Sequence, residues 1–227
     1  PVRVPAEQIF QDFGSNMETI MREWLYPKDY SGGTLRMSNI GHPDRKLWYK
    51  HRRKDYKGET LKAHTLIKFL YGHLIEEMLL ALVKLSGHDV TDEQKRVELE
   101  GIKGSMDCKI DGLLCDVKST STYGFKKFKD NSLQYDDPFG YIDQISGYGA
   151  AEKADDACFL AMDKSNGHLA VSKVDLRGKD VIKRIKHVQA MIEQDTIPEP
   201  CYELVADGKS GNMKLPIGCS YCEFKKH

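Results

Sequence analysis

The chain has 227 residues, of which 40% are hydrophobic. That suffices for one large domain and excludes disorder over most of the length. Its 34 basic residues balance 34 acidic ones, which excludes a strongly basic nucleic-acid coat and leaves only local patches. Six cysteines are too few for a disulfide scaffold, so the expected compartment is a reducing cytoplasm.

Residues 1–8 mix charge and proline, with no apolar core of a signal peptide. Residues 6–25 predict an amphipathic helix, with Ile9, Phe13, Met17, Ile20, Met21 and Leu25 at helical spacing. Ser31, Gly32 and Gly33 break it. Ser38 is the expected cap of a short helix carrying Arg45, Leu47, Trp48 and Tyr49. Residues 45–57 hold seven Lys or Arg against one Asp. This is a solvated basic face or a phosphate-binding patch. Residues 60–85 read as a long helix, apolar nearly all round and therefore expected to be central and buried. Its most apolar stretch contains Glu76, Glu77 and Lys84 and is too short and too charged to span a bilayer. Gly87 ends it.

Residues 95–100 alternate like a strand, and residues 102–119 predict a β-hairpin around Asp111-Gly112. Lys126, Lys127 and Lys129 cluster around Phe125 and Phe128, aromatics that suit core packing or base stacking. A helix over 138–152, strands over 157–162 and 168–174, and a helix over 178–194 follow. The order predicts an α/β fold with a mixed central β-sheet flanked by helices. It divides into a helical N-terminal part (1–58), a core (59–197) and a cysteine-bearing tail (198–227).

With Asp111 and Gly112 as turn residues, Ile110 faces Leu113, Lys109 faces Leu114, Cys108 faces Cys115 and Asp107 faces Asp116. Alternation then puts Met106, Cys108 and Ile110 on one sheet face with Leu113, Cys115 and Val117. Asp107, Asp116 and Lys118 share the other. Like charges directly opposite on a sheet repel. A divalent cation between the carboxylates turns that repulsion into attraction. A third carboxylate is expected from the long helix. Glu76 lies in apolar company with Phe69, Gly72 and Val83, where a buried acid needs a partner. Glu77 lies on the more polar flank.

These residues resemble the PD-(D/E)XK nuclease superfamily, in its RecB-like and phage-type exonuclease branch. The match rests on Gly104-Ser-Met-Asp107, Asp116-Val-Lys118, Gln144-Ile-Ser-Gly-Tyr148 and the upstream Gly72-His-Leu-Ile-Glu76, which favours Glu76 over Glu77. A segment from Ser38 to Tyr49 resembles an N-terminal motif of the same enzymes. No Pro precedes Asp107, and the middle acid is Asp116 where the superfamily name allows Glu. The resemblance implies a restriction-endonuclease-like core and metal-dependent phosphodiester hydrolysis. Glu76, Asp107, Asp116 and the Val117 backbone carbonyl are then the ligands of Mg²⁺ or Mn²⁺. Lys118 activates water and stabilises charge on phosphate, while Gln144 and Tyr148 position Lys118 or the substrate. DNA is the implied partner, with a single-strand annealing or other recombination protein as a further candidate and no membrane. For a phage protein the compartment is the host cytoplasm. Arg45, Arg52, Arg53, Lys126 and Lys127 are candidate DNA-phosphate contacts. An endonuclease with the same site, or a non-catalytic DNA-binding module on the same fold, is the alternative.

Cys201, Cys219 and Cys222 cluster late in the chain. With His227 they match a Cys₃His zinc set, or else are free thiols. Some RecB-like nucleases carry an iron–sulfur cluster, but they use an upstream cysteine that this chain lacks before Cys108. Cys108 and Cys115 are expected as small buried hydrophobes, not a disulfide.

Overall fold

A computed structural model describes residues 4–26, 35–52, 63–220 and 222–225. The predicted break at Ser31-Gly32-Gly33, the candidates Arg53 and His227, and the first residues of the predicted long helix lie outside the described residues.

The centre is a five-stranded mixed sheet in the order β1-β4-β5-β6-β7. Its strands are β1 (Val90–Thr91), β4 (Cys108–Ile110), β5 (Leu113–Thr120), β6 (Asp156–Asp163) and β7 (Leu169–Asp175). β5 and β6 run parallel, and every other pairing in the sheet is antiparallel. A parallel pair needs a long crossover. Here it is built from two helices, α4 (Thr122–Lys129) and α5 (Tyr141–Glu152). Both central strands read as apolar runs because helices cover both of their faces. Within β5 the charged exceptions are Asp116 and Lys118.

On one face lies α3 (Ala63–Leu85), whose Leu79 and Leu80 pack on Cys108, Cys115, Val117, Cys158 and Leu160. On the other, α4 and α5 pack Phe125, Phe128, Ile145 and Tyr148 against Leu114 and Phe159. Phe125 and Phe128 are therefore core residues, the latter edge-on to Phe159 at 5.4 Å. A third cluster joins α2 (Asp44–Arg52), α6 (Val181–Ile192) and Phe224 of the tail. There Tyr49 stacks on Phe224 at 5.4 Å and the Trp48 indole N–H donates to the Gln194 carbonyl at 2.7 Å. Asp180 caps α6 by accepting from the Lys183 N–H.

Several expectations change. α3 is not buried all round: Phe69, Tyr71 and Leu82 are about half exposed, and only Leu70, Leu79 and Leu80 are fully buried. One side of α3 meets the sheet and another meets α1 (Ala6–Leu25), while the remainder faces outward. Ser38 does not cap α2. It sits in the short 3₁₀ turn Met37–Asn39, and α2 begins at Asp44, just after Pro43. The predicted hairpin is broken in its first arm. β3 (Ile102–Ser105) pairs with β2 (Arg96–Leu99) in a separate two-stranded sheet, and the chain leaves the ladder at Met106 and Asp107. Met106 consequently lies in the α5-side core and not with Cys108. From Cys108 onward the register is as expected, Cys108 opposite Cys115, because Asp111 and Gly112 both adopt positive φ in the turn. The tail adds a hairpin, β8 (Val205–Ala206) with β9 (Met213–Lys214), and the short α7 (Ile217–Ser220).

Candidate active site

β5 continues to Thr120 after β4 has ceased to pair with it, so its backbone around Val117 lacks a strand partner on that side. Asp107 supplies one: its Oδ2 accepts from the Val117 N–H at 2.7 Å. The two aspartates therefore do not form the directly opposed pair expected of a regular hairpin. The break in the strand turns the Asp107 carboxylate toward β5. Asp116 is buried within β5 at 1% exposure. Its Oδ1 accepts from Gln144 Nε2 at 3.1 Å, and its Oδ2 accepts from the Lys118 ammonium in an ion pair. The Lys118 ammonium lies 5.0 Å from the centre of the Tyr141 ring. Gln144 also reaches the buried Tyr148 hydroxyl. The first two turns of α5 thus carry Tyr141, Gln144 and Tyr148 past the Asp116 face of the sheet.

Gly104 is required by packing. A Cβ there would meet Met37 Cβ at 2.5 Å and Tyr148 Cε1 at 2.8 Å. The absence of a side chain lets the 3₁₀ turn and Tyr148 close over β3, which seats the chain leading into Asp107.

Glu76 enters from α3, and its Oε1 accepts from Gln94 Nε2 at 2.6 Å. Glu77 points elsewhere, accepting from Asn16 of α1 at 2.9 Å.

The charges around this point oppose one another. Burial, then the Asp116 charge, push the Glu76 carboxyl from 4.5 up to about 7. Burial, Asp116 and Glu76 together hold Asp107 well above its ordinary range. Burial alone would lower the Lys118 ammonium, but Asp116 and Asp107 outweigh it and hold Lys118 above its usual range. Tyr148 is pushed up to about 12, first by burial and then by Asp116. Among the described residues no three His, Cys, Asp or Glu side chains already form a metal-binding group. The donor set nevertheless fits a hard divalent cation: oxygen ligands, and mutual repulsion among the carboxylates that a positive charge relieves.

The resemblance motifs thus fall on distinct elements around one point: G-x-x-D at the β3–β4 junction, D-x-K on β5, Q-x-x-x-Y on α5 and the upstream acid on α3. Comparison with known proteins then bears on the fold. SSO0001, a protein of solved structure, superposes with a TM-score of 0.52 over 94% of each chain at 14% identity. The two proteins share a fold. A phage-related exonuclease from Haemophilus somnus 129PT matches at 17% identity, over 70% of this chain and 91% of its own, with a TM-score of 0.49. The alkaline exonuclease LHK-Exo from Laribacter hongkongensis matches at 16% identity, over 76% and 94%, with a TM-score of 0.47. At these identities the likeness concerns the fold alone. No protein-family model matches the sequence, and no curated protein does.

The remaining candidates are not gathered at this point. Arg45 donates to the Pro198 carbonyl at 3.2 Å and lies 5.8 Å from the Tyr49 ring centre, while Arg52 pairs with Asp195. Both tie α2 to the segment after α6. Lys127 pairs with Asp136 at 2.6 Å, and Lys126 is exposed on α4. Cys201 is exposed and Cys219 and Cys222 are half-buried, and among the described residues these thiols form no metal-binding group of three or more His, Cys, Asp or Glu. Burial, then Cys222 and Cys201, push the Cys219 thiol up. Cys108 and Cys115 are buried free thiols, as expected, in one row with Cys158 of β6. Among the described residues no helix is long and apolar enough to cross a membrane. Two contributors had no sequence signal. Gln94 is an exposed polar loop residue, and Tyr141 reads simply as a helix aromatic.

Proposed function

We propose that this protein is a metal-dependent DNA nuclease that hydrolyses phosphodiester bonds. An exonuclease of phage-type recombination or DNA processing is the form that the motif resemblance favours. The observation that carries the reading is the convergence of Glu76, Asp107 and Asp116 with Lys118 and Gln144, at a net cost in repulsion that a metal-free function would not explain.

Bound there, Mg²⁺ or Mn²⁺ would lower the pKa of water and offset charge on the phosphate. Glu76, Asp107 and Asp116 would hold it. Lys118, kept protonated by Asp116 and Asp107, is a fixed positive charge beside the point of attack and stabilises the developing phosphorane oxygens. Gln144 orients the Asp116 carboxylate by donating to its Oδ1, and the Tyr141 ring lies beside the ammonium in a cation–π contact. Tyr148 anchors Gln144.

Cleavage of linear and closed circular DNA with Mg²⁺ or Mn²⁺, and with EDTA as control, tests this reading. Metal-dependent loss of linear DNA alone supports an exonuclease. Nicked circles identify an endonuclease with the same site. No cleavage with either metal sinks the enzymatic reading and leaves a DNA-binding module.

A further inference from the structure

The turn between β1 and β2 makes unusual contacts for a surface loop. Asp92 and Gln94 both have positive φ, 54° and 51°. A glutamine rarely adopts that conformation, and it persists only where surrounding contacts over-determine it. Here they do. The Gln94 N–H donates to the Asp107 carbonyl at 2.9 Å. The Gln94 carbonyl accepts from Ser105 Oγ at 2.8 Å. Ser105 Oγ also lies 3.2 Å from Gln94 Oε1, and the Gln94 amide turns its Nε2 to Glu76, donating to the carboxylate at 2.6 Å.

An ion cluster clamps the same turn to three elements. Lys109 of β4 lies 2.9 Å from Asp92 and 2.7 Å from Glu152 at the end of α5. Lys95 reaches Glu152 at 2.9 Å, and Lys84 of α3 reaches Glu93 at 2.7 Å. The turn is thereby bolted to the strand that follows Asp107, to the helix that carries Gln144, and to the helix that carries Glu76.

We infer that Gln94 is a positioning residue for the metal-binding carboxylates, its main chain fixing Asp107 and its side chain fixing Glu76. This rests on the nuclease reading above. The amide engages Oε1 of Glu76 and leaves Oε2 to face a cation. Without that anchor, a carboxylate repelled by Asp116 and Asp107 swings away toward solvent, and the site loses a ligand. The strained φ is maintained because no other residue in the turn presents an amide at that point.

Two substitutions separate this role from a merely structural one. Gln94→Asn and Gln94→Gly both suit a positive φ, so both relax the turn. Neither reaches Glu76. Titration of Mn²⁺ into DNA-free protein, followed by electron paramagnetic resonance, is expected to show roughly tenfold weaker binding in each variant. Thermal melts in EDTA are expected to stay at or above wild type. On linear DNA, kcat falls with KM little changed. Mn²⁺ binding equal to wild type in both variants overturns the inference while leaving the nuclease reading intact. So does a matching fall in EDTA melting temperature, which would mark a turn residue. Wild-type protein that neither binds Mn²⁺ nor cuts DNA overturns both.

Discussion

Glu76→Gln isolates the electrostatic cost of the carboxylate cluster. In metal-free protein, burial and then Asp116 raise the Glu76 carboxyl from 4.5 to about 7. Between those values the folded protein retains a proton that the unfolded chain has released. Glu76 therefore subtracts stability as pH rises through that window, and the penalty is complete above 7. The full shift corresponds to roughly 3 kcal/mol. Solvent at the mouth of the site screens part of it, leaving about 1–2 kcal/mol. Glutamine keeps the shape, and its carbonyl oxygen still accepts from Gln94. In EDTA at about pH 8 the variant is thus expected to be more stable than wild type by about 1–2 kcal/mol, the gap closing toward about pH 5. Urea unfolding followed by circular dichroism measures it. Saturating Mg²⁺ should narrow or reverse the difference, since only wild type keeps all three carboxylates. A variant less stable than wild type in EDTA at about pH 8 refutes the picture of opposed charges at this point.

Two further outcomes are expected. Lys118→Ala should lower the cleavage rate by about 10²–10⁴-fold while the protein stays folded, measured by single-turnover hydrolysis of linear DNA. A wild-type rate would remove Lys118 from the site. Gly104→Ala should cost about 1–3 kcal/mol, because the added methyl must displace Met37 or the Tyr148 ring, both buried. A thermal melt unchanged by that substitution would contradict the packing described.

The sequence by itself determined the main helices and the central strands, the Asp111-Gly112 turn and the pairing from Cys108 to Cys115, but not β1, α4 or the β8–β9 hairpin. Local chemistry suffices there: two positive-φ positions and apolar alternation leave one register. It also marked Asp107, Asp116, Lys118 and Glu76, because charged residues inside apolar elements stand out, whereas Gln144 and Tyr148 came only with the family resemblance. It misjudged α3, since an all-round apolar helix gives no sign of which face its neighbours leave uncovered. It drew Asp107 into a continuous strand. Only the tertiary structure decided that the ladder breaks there, where Met106 is buried in the α5-side core and the Asp107 carboxylate takes the Val117 N–H. Tertiary structure alone brought in Gln94. Its contact with Glu76 spans 18 residues of sequence and joins a surface turn to a helix, and no periodicity or composition records such a meeting.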